Sequence, residues 1–310
     1  MKKLIISVVA LAVCGSVMFA QDLKTATEAY NNGAVALSED KKADALKAFK
    51  EALQIAEALG AEGEDITSSC KTYIPTIQFS IAKELVNNAE YDNAVEALKE
   101  TVSIASQYGQ DKVAEDAKAL IPQVFMQKAN TALNENDFAT AAAGYRAVLE
   151  EEPANGTAAL RLGTVLNAAG DKDGAIEAFN LAIANGQEAA ATKQIGKLYL
   201  KEAANDLKAK NYSGAVSAAL KSNEYSESAQ AYQIAGQASQ IQGKNSDAVN
   251  YFEKYLELSP NASNAGKISF TIAAILHKQG NIAKAKEYYQ KALTDPKVGA
   301  QAKQQLDKLK

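Results

Sequence analysis

The chain has 310 residues, of which 33 are Lys or Arg and 37 are Asp or Glu, so its formal net charge is −4. This mildly acidic balance argues against a nucleic-acid partner, which requires a basic face. The single histidine, His277, excludes motifs that use two histidines, and the sequence has no glycine-rich phosphate-binding motif. We therefore expect no catalytic residues, no cofactor and no bound metal.

The first 20 residues predict export. Met1-Lys2-Lys3 supplies a short positive segment, Leu4–Val13 is apolar apart from Ser7, and a stretch of mainly small residues ends at Ala20. This order is typical of a secretory signal peptide, and the apolar run is too short for a membrane span. We predict cleavage after Ala20 and a periplasmic or secreted mature protein without a membrane-spanning segment.

Cys14 leaves a second interpretation of this segment open. Leu11-Ala12-Val13-Cys14 resembles a bacterial lipobox, in which the cysteine becomes a lipidated N-terminus, although Val13 stands where a smaller residue is usual. The alternative is therefore an outer-membrane lipoprotein. Cleavage after Ala20 would leave Cys70 as the sole cysteine, so we expect no internal disulfide and a small, buried thiol at Cys70.

A short pattern recurs seven times after the signal segment. It consists of an alanine and, four positions later in all but the fifth copy, a larger apolar residue on the same helix face. Another small residue precedes each alanine by twelve positions, and two facing small positions let two helices pack closely. The first alanines are Ala45, Ala94, Ala141, Ala175, Ala215, Ala248 and Ala285, and the upstream residues are Gly33, Ala82, Ala129, Gly163, Ala203, Gly236 and Ala273. The pattern predicts antiparallel helical hairpins, with turn signals at 39–40, 134–137, 169–171, 242–244 and 279–281.

These residues resemble the tetratricopeptide repeat (TPR) family. The family pattern has Leu-Gly in the first helix, a small residue twelve positions after that glycine, and an aromatic residue four positions later. Leu162-Gly163, Ala175 and Phe179 match it, whereas the fifth copy has Ala219 in place of the aromatic residue. The resemblance covers about residues 22–295. It implies an all-α, right-handed superhelical solenoid of about seven antiparallel hairpins.

The spacing of the repeats divides the mature chain into two parts. The first two intervals, from Ala45 to Ala94 and from Ala94 to Ala141, are 49 and 47 residues, against about 34 for a standard repeat. Pro75 and Pro122 lie at the same distance, 19 residues, before Ala94 and Ala141. Hairpins two and three therefore each have either a lengthened, kinked first helix or an added short helix. We predict residues 1–20 as signal peptide, 21–155 as lengthened hairpins, and 156–310 as hairpins of nearer-standard spacing with a capping helix at 298–309.

The resemblance also implies where a partner would bind. In the TPR family the first helix of each hairpin lines a concave groove that holds peptides or partner helices. The family register gives these candidate positions: Asn130, Arg161, Asn167, Lys197, Lys201, Lys208, Gln230, Gln233, Gln237, Gln240, Lys267 and His277. Asn130 and Arg161 match two positions of the family's clamp for two carboxylates, but the full set is absent.

The four glutamines are spaced by three, four and three residues, so they form one face of one helix. Amide side chains can donate to and accept from an extended peptide, and the nearby lysines would suit an acidic segment or a C-terminal carboxylate. The sequence therefore predicts a non-enzymatic scaffold or adaptor of the bacterial cell envelope that binds a protein or peptide. The alternative is an accessory subunit of an envelope enzyme or transport complex.

Overall fold

The computed structural model describes residues 17–309 and the side chains of residues 21–309. Cys14 and the bond after Ala20, both part of the signal-peptide prediction, lie outside the described side chains. The chain forms two compact units, Met1–Ala158 and Ala159–Lys310, each with hydrophobic clusters of its own. Within the described part, no helix combines the length and apolar character that crossing a membrane would require.

Every regular element in the described part is helical. Alanine, the best helix former, is frequent throughout. Between residues 17 and 309, one short 3-10 helix, Gly60–Gly63, accompanies fifteen α-helices. These are α1 (Val17–Ser38), α2 (Lys42–Ala58), α3 (Glu64–Asn87), α4 (Tyr91–Gln107), α5 (Asp111–Asn134), α6 (Phe138–Glu151), α7 (Gly156–Ala169), α8 (Lys172–Ala184), α9 (Glu188–Lys208), α10 (Tyr212–Tyr225), α11 (Ala229–Ile241), α12 (Asn245–Leu258), α13 (Ala265–Lys278), α14 (Ile282–Ala292) and α15 (Gly299–Lys308).

Consecutive helices pair into seven hairpins, from α1 with α2 to α13 with α14. The remaining helix, α15, covers the last hairpin: Ala302 is fully buried there, and Leu306 and Leu309 pack against the same core. Such a cap is needed because the final hairpin of a repeat array would otherwise leave an apolar face in water. The predicted all-α class of TPR-like hairpins with a C-terminal capping helix is confirmed.

The repeated pattern supplies the hairpin cores. In all seven hairpins the first alanine is fully buried. The residue four positions later, including Ala219 of hairpin five, is at most 2% exposed. A Cβ added to Gly163 would lie 2.6 Å from the Phe179 ring, and one added to Gly236 would lie 2.6 Å from the Phe252 ring. These distances are shorter than van der Waals contact. Glycine at this position therefore lets the ring pack directly on the backbone of the first helix.

One turn geometry joins the two helices of every hairpin. The residue five positions before the first alanine has a positive φ in each case, at Asp40, Ala89, Asn136, Gly170, Lys210, Gly243 and Gly280. In hairpin four, the Gly170 N–H donates to the Asn167 carbonyl at 3.1 Å and the Asp171 N–H donates to the Leu166 carbonyl at 2.9 Å. This pair of bonds caps the first helix. Sequence analysis missed the turns at Ala89 and Lys210, because neither residue type favours a left-handed backbone.

Hairpins two and three have single, lengthened first helices. Helices α3 and α5 contain 24 residues each, with Pro75 and Pro122 buried inside them. The lengthened-helix alternative is therefore correct for both hairpins, and hairpin two is preceded by the 3-10 helix as well. Helix α9 of hairpin five, with 21 residues, also exceeds the 13 and 14 residues of α11 and α13. The interval from Ala175 to Ala215, 40 residues, contains this extra length, although hairpin five was predicted to be of nearer-standard spacing.

Hairpin five packs without an aromatic residue at the central position. Ala203, Ala215 and Ala219 are all fully buried. The Ser222 hydroxyl, three residues beyond Ala219, donates a hydrogen bond to the Gly196 carbonyl at 2.8 Å. A small side chain at each central position brings α9 and α10 close enough for this bond between the two helices.

Candidate binding surface

The glutamines of α11 occupy the side of that helix that faces away from its core. Gln230 and Gln240 are exposed, and Gln233 and Gln237 are half-buried. The buried side of the same helix consists of Ala231, Ile234, Ala235, Gly236, Ala238 and Ser239. Residues on this side share a hydrophobic cluster with α9 and α10, and Gly236 lies against Phe252 of α12. This packing leaves the glutamine row available to another molecule.

The helix that carries the glutamine row is itself uncharged. Helix α11 contains no charged residue, and none of its four glutamine side chains has a hydrogen-bond partner in the described part of the chain. Helix α13, the first helix of the next hairpin, carries Lys267 and Lys278 but no acidic residue. Free amide groups can both donate to and accept from a peptide backbone. No carboxylate on these two helices would repel an acidic ligand.

The predicted lysines of α9 are accessible. Lys197, Lys201 and Lys208 are exposed, and none forms an ion pair with another described residue. Lys201 and Asn167 line a common cavity of about 260 Å³, in which the other charged residues are Lys172, Glu202 and Asp206. The structure thus brings together two candidate residues that are far apart in sequence.

The cavity between α7 and α9 has charges that neutralise each other locally. Lys172 and Glu202 form an ion pair with 2.5 Å between Nζ and Oε2, and the Lys172 ammonium also lies 4.9 Å from the centroid of the Tyr199 ring. The Lys201 ammonium is left without such a partner. It is therefore the cation in this cavity that is best placed to meet an incoming carboxylate.

The candidate residues on α13 differ in their accessibility to a partner. Lys267 is exposed, whereas His277 is half-buried and its ring lies edge-on to Tyr289, 6.3 Å between centroids. Phe270 contacts the same tyrosine at 5.5 Å. Both rings therefore serve the packing of α13 on α14, and Lys267 is the more accessible group.

Two further candidates belong to helices α5 and α7. Asn130 is half-buried in the first unit, and its Oδ1 accepts a hydrogen bond of 2.7 Å from the Tyr145 hydroxyl. This bond joins α5 to α6 and fixes the orientation of the amide. Arg161 is exposed on α7. Sequence reasoning could not foresee the role of Asn130, since the partner comes from the second helix of the hairpin.

Cys70 is the only cysteine of the described residues. Cys70 is fully buried in the core of the first unit, as predicted. Burial raises the pKa of its thiol to about 12, so the reactive thiolate is scarcely populated at neutral pH. Within the described part of the chain, no group of three or more His, Cys, Asp or Glu side chains could hold a metal ion.

Comparison with known proteins supports the repeat assignment. Models of the tetratricopeptide repeat match residues 126–190, 229–262 and 267–294. No curated protein sequence matches the chain. The fifth hairpin, which lacks the aromatic residue, lies between the matched stretches.

Similar solved structures include a MamA protein, which is 20% identical with a TM-score of 0.36 over 59% of this chain and 96% of that chain. YrrB, described as a TPR protein with an unusual peptide-binding site, is 20% identical with a TM-score of 0.34 over 63% of this chain and 97% of its own. PilF of Pseudomonas aeruginosa is 21% identical with a TM-score of 0.29 over 62% and 93%. The three matched stretches and the hairpin geometry together show that this chain contains tetratricopeptide repeats.

Proposed function

We propose that this protein is a non-enzymatic scaffold or adaptor of the bacterial cell envelope, and that it binds an extended segment of a partner protein on the first helices of hairpins five to seven. TPR domains generally mediate contacts between proteins, which supports the general class. The observation that carries the specific proposal is the row of four unpartnered glutamines on the uncharged helix α11.

The size of the glutamine row suits a short peptide. Gln230 and Gln240 are ten residues apart, which corresponds to about 15 Å along a helix with a rise of 1.5 Å per residue. An extended chain rises about 3.3 Å per residue, so four or five residues of a partner would span the row. Amide groups that bind the peptide backbone tolerate many side chains, so the lysines would supply the selectivity.

The charges beside the row favour an acidic partner. Lys197 and Lys201 lie on the preceding first helix and Lys267 on the following one, all exposed. Each exposed ion pair contributes only about 0.2–1 kcal/mol, so the lysines would select the partner and speed its approach more than they would tighten the complex. We therefore expect affinity to fall as the salt concentration rises.

A pull-down from cells tests this proposal. The tagged protein is crosslinked in intact cells, and the recovered partners are identified by mass spectrometry and quantified. Gln233→Ala with Gln237→Ala, and separately Lys197→Glu with Lys201→Glu, should each reduce recovery of the main partner at least several-fold. The matched control is Gln301→Ala with Gln304→Ala, two exposed glutamines of α15 with the same chemistry. Equal recovery with the groove variants and the control would contradict the proposed surface.

The place in the envelope is tested by the mature N-terminus. Mass spectrometry should find a chain that begins at Gln21 if the signal peptide is cleaved after Ala20. An acylated N-terminal Cys14 would instead identify an outer-membrane lipoprotein. Co-purification with an envelope enzyme or transporter in fixed stoichiometry would support the accessory-subunit alternative. A chain that retains Met1 and fractionates with the cytoplasm would overturn an envelope function.

A further inference from the structure

The two halves of the chain carry opposite charge. Residues 21–158 contain 12 basic and 23 acidic side chains, a net charge of −11, whereas residues 159–310 contain 19 basic and 14 acidic side chains, a net charge of +5. The division between these ranges coincides with the boundary between the two compact units. A separation of this size gives each unit an electrostatic field of its own sign.

The hairpin turns concentrate this difference. We compare the four-residue segments that end one residue after the positive-φ position. In hairpins two and three, residues 87–90 and 134–137, the charged side chains are Glu90, Glu135 and Asp137, which we call the acidic row. In hairpins five to seven, residues 208–211, 241–244 and 278–281, they are Lys208, Lys210, Lys244 and Lys278, which we call the basic row. The corresponding turn of hairpin four, residues 168–171, carries only Asp171 and belongs to neither row. Neither row contains a charge of the other sign.

All seven side chains of the two rows are exposed. None forms an ion pair with another described residue, whereas the turn of hairpin one neutralises itself through Lys41 with Glu39 and Lys42 with Asp40. Because every first helix of a stack of hairpins runs in the same direction, the turns of each unit lie along one edge. Asn93 donates a hydrogen bond to Glu90, and the Thr140 N–H donates one to Asp137, but both carboxylates remain exposed to a partner.

The two rows also share a spacing. Each charged residue lies within two positions of the left-handed turn residue, and two helices separate one turn from the next in both rows. Neighbouring helices pack at about 8–10 Å, so the rows have comparable intervals between charges. The exposed Ile241, 57% accessible, adds an apolar contact within the basic row.

From these observations we propose that the basic row of one molecule docks on the acidic row of a second copy of this chain. The contact joins two different surfaces, so it is heterologous. It involves the turn edges and not the glutamine row. Lys208, a candidate for partner binding, belongs to the basic row as well, and none of the variants below changes it. Exposed charges contribute modestly and are screened by salt, so the association is weak and depends on ionic strength.

Sedimentation velocity of the mature chain tests the proposal. The wild-type protein should gain mass with concentration at about 10 mM salt and should be monomeric at about 1 M salt, where the screening length falls from about 30 Å to about 3 Å. Two variants reverse one row each: Lys210→Glu with Lys244→Glu and Lys278→Glu, and Glu90→Lys with Glu135→Lys. Asp137 is left intact because its carboxylate caps α6 through the Thr140 N–H.

Each row-reversal variant alone should remain monomeric, since both of its rows then carry the same sign. An equimolar mixture of the two variants should regain the mass increase, which also shows that both are folded. A control with the same change in charge, Lys193→Glu with Lys297→Glu and Lys303→Glu, alters exposed lysines outside the basic row and should associate like the wild type. Gln233→Ala with Gln237→Ala should do the same, which separates this proposal from the partner-binding surface.

A wild-type protein that stays monomeric at low salt would overturn the proposal. So would a mixture of the two row-reversal variants that fails to associate, or a control variant that loses association as completely as the basic-row variant. Binding of the basic row to some other acidic protein, with no self-association, would also overturn the proposal, because the partner would then not be a second copy of this chain.

Discussion

Hairpins four and five reach the same close packing of two helices by different means. In hairpin four, Gly163 lies directly beneath the ring of Phe179, with only 2.6 Å between the ring and the position of a Cβ. In hairpin five, Ala203 and Ala219 occupy the equivalent positions and both are fully buried. Hairpin four combines the smallest residue with a large one, and hairpin five combines two small residues.

The rings of hairpin five lie elsewhere. Tyr199 and Tyr225 stack with 5.9 Å between their centroids, and Ser222 of α10 bonds to the Gly196 carbonyl of α9. The comparison shows that the repeat requires small residues at the closest approach of its two helices. The position of the aromatic residue can change, provided that the space is filled.

The largest expected effect is the loss of the ring in hairpin four. Phe179→Ala should lower the free energy of unfolding by about 3–5 kcal/mol, because it removes a fully buried aromatic side chain and leaves a cavity over Gly163. Urea denaturation followed by circular dichroism measures this loss. Phe179→Leu, which keeps most of the volume, serves as control and should cost much less. A loss below about 1 kcal/mol for Phe179→Ala would show that the ring does not hold hairpin four together.

The reverse change in hairpin five should also destabilise the protein. Ala219→Phe restores the family residue, but Ala219 is fully buried between helices that are already close, so the ring would overpack the site at a cost of about 1–3 kcal/mol. The same denaturation experiment applies, with Ala219→Ser as a small-residue control. A gain in stability would mean that hairpin five has room for a ring, and the contrast between the hairpins would then disappear.

The smallest expected effect concerns the turns of these hairpins. Gly170 occupies the left-handed position in hairpin four at φ 89°, and Lys210 occupies it in hairpin five at φ 63°. Lys210→Gly should raise the free energy of unfolding by about 1 kcal/mol. A residue with a side chain costs about 1–2 kcal/mol in the left-handed region, and glycine avoids that cost. Part of the gain is lost because glycine makes the unfolded chain more flexible. Ala209→Gly, one residue earlier at a right-handed φ of −76°, should instead give no gain. Equal effects of the two substitutions would refute strain at Lys210.

Sequence reasoning reached the candidate surface only in part. The shared face of Gln230, Gln233, Gln237 and Gln240 follows from their spacing on one helix, and the structure places them on one side of α11. The hydrogen bond between Tyr145 and Asn130 joins two helices, and so does the ring contact between His277 and Tyr289. Spacing within one helix carries no information about such partners, so these two residues were grouped with freely accessible ones.

The sequence by itself determined the hairpin register of this protein. Small residues twelve positions apart across a turn permit one close pairing of two helices, and seven copies of that spacing repeat the same local solution. Tertiary structure alone decided the features that depend on neighbours. It placed α9 so that Ser222 could bond to Gly196, held Lys210 in a left-handed turn, and left each unit with turns of one dominant charge along an edge. These outcomes follow from packing energies summed over whole hairpins, which outweigh the preference of any single residue.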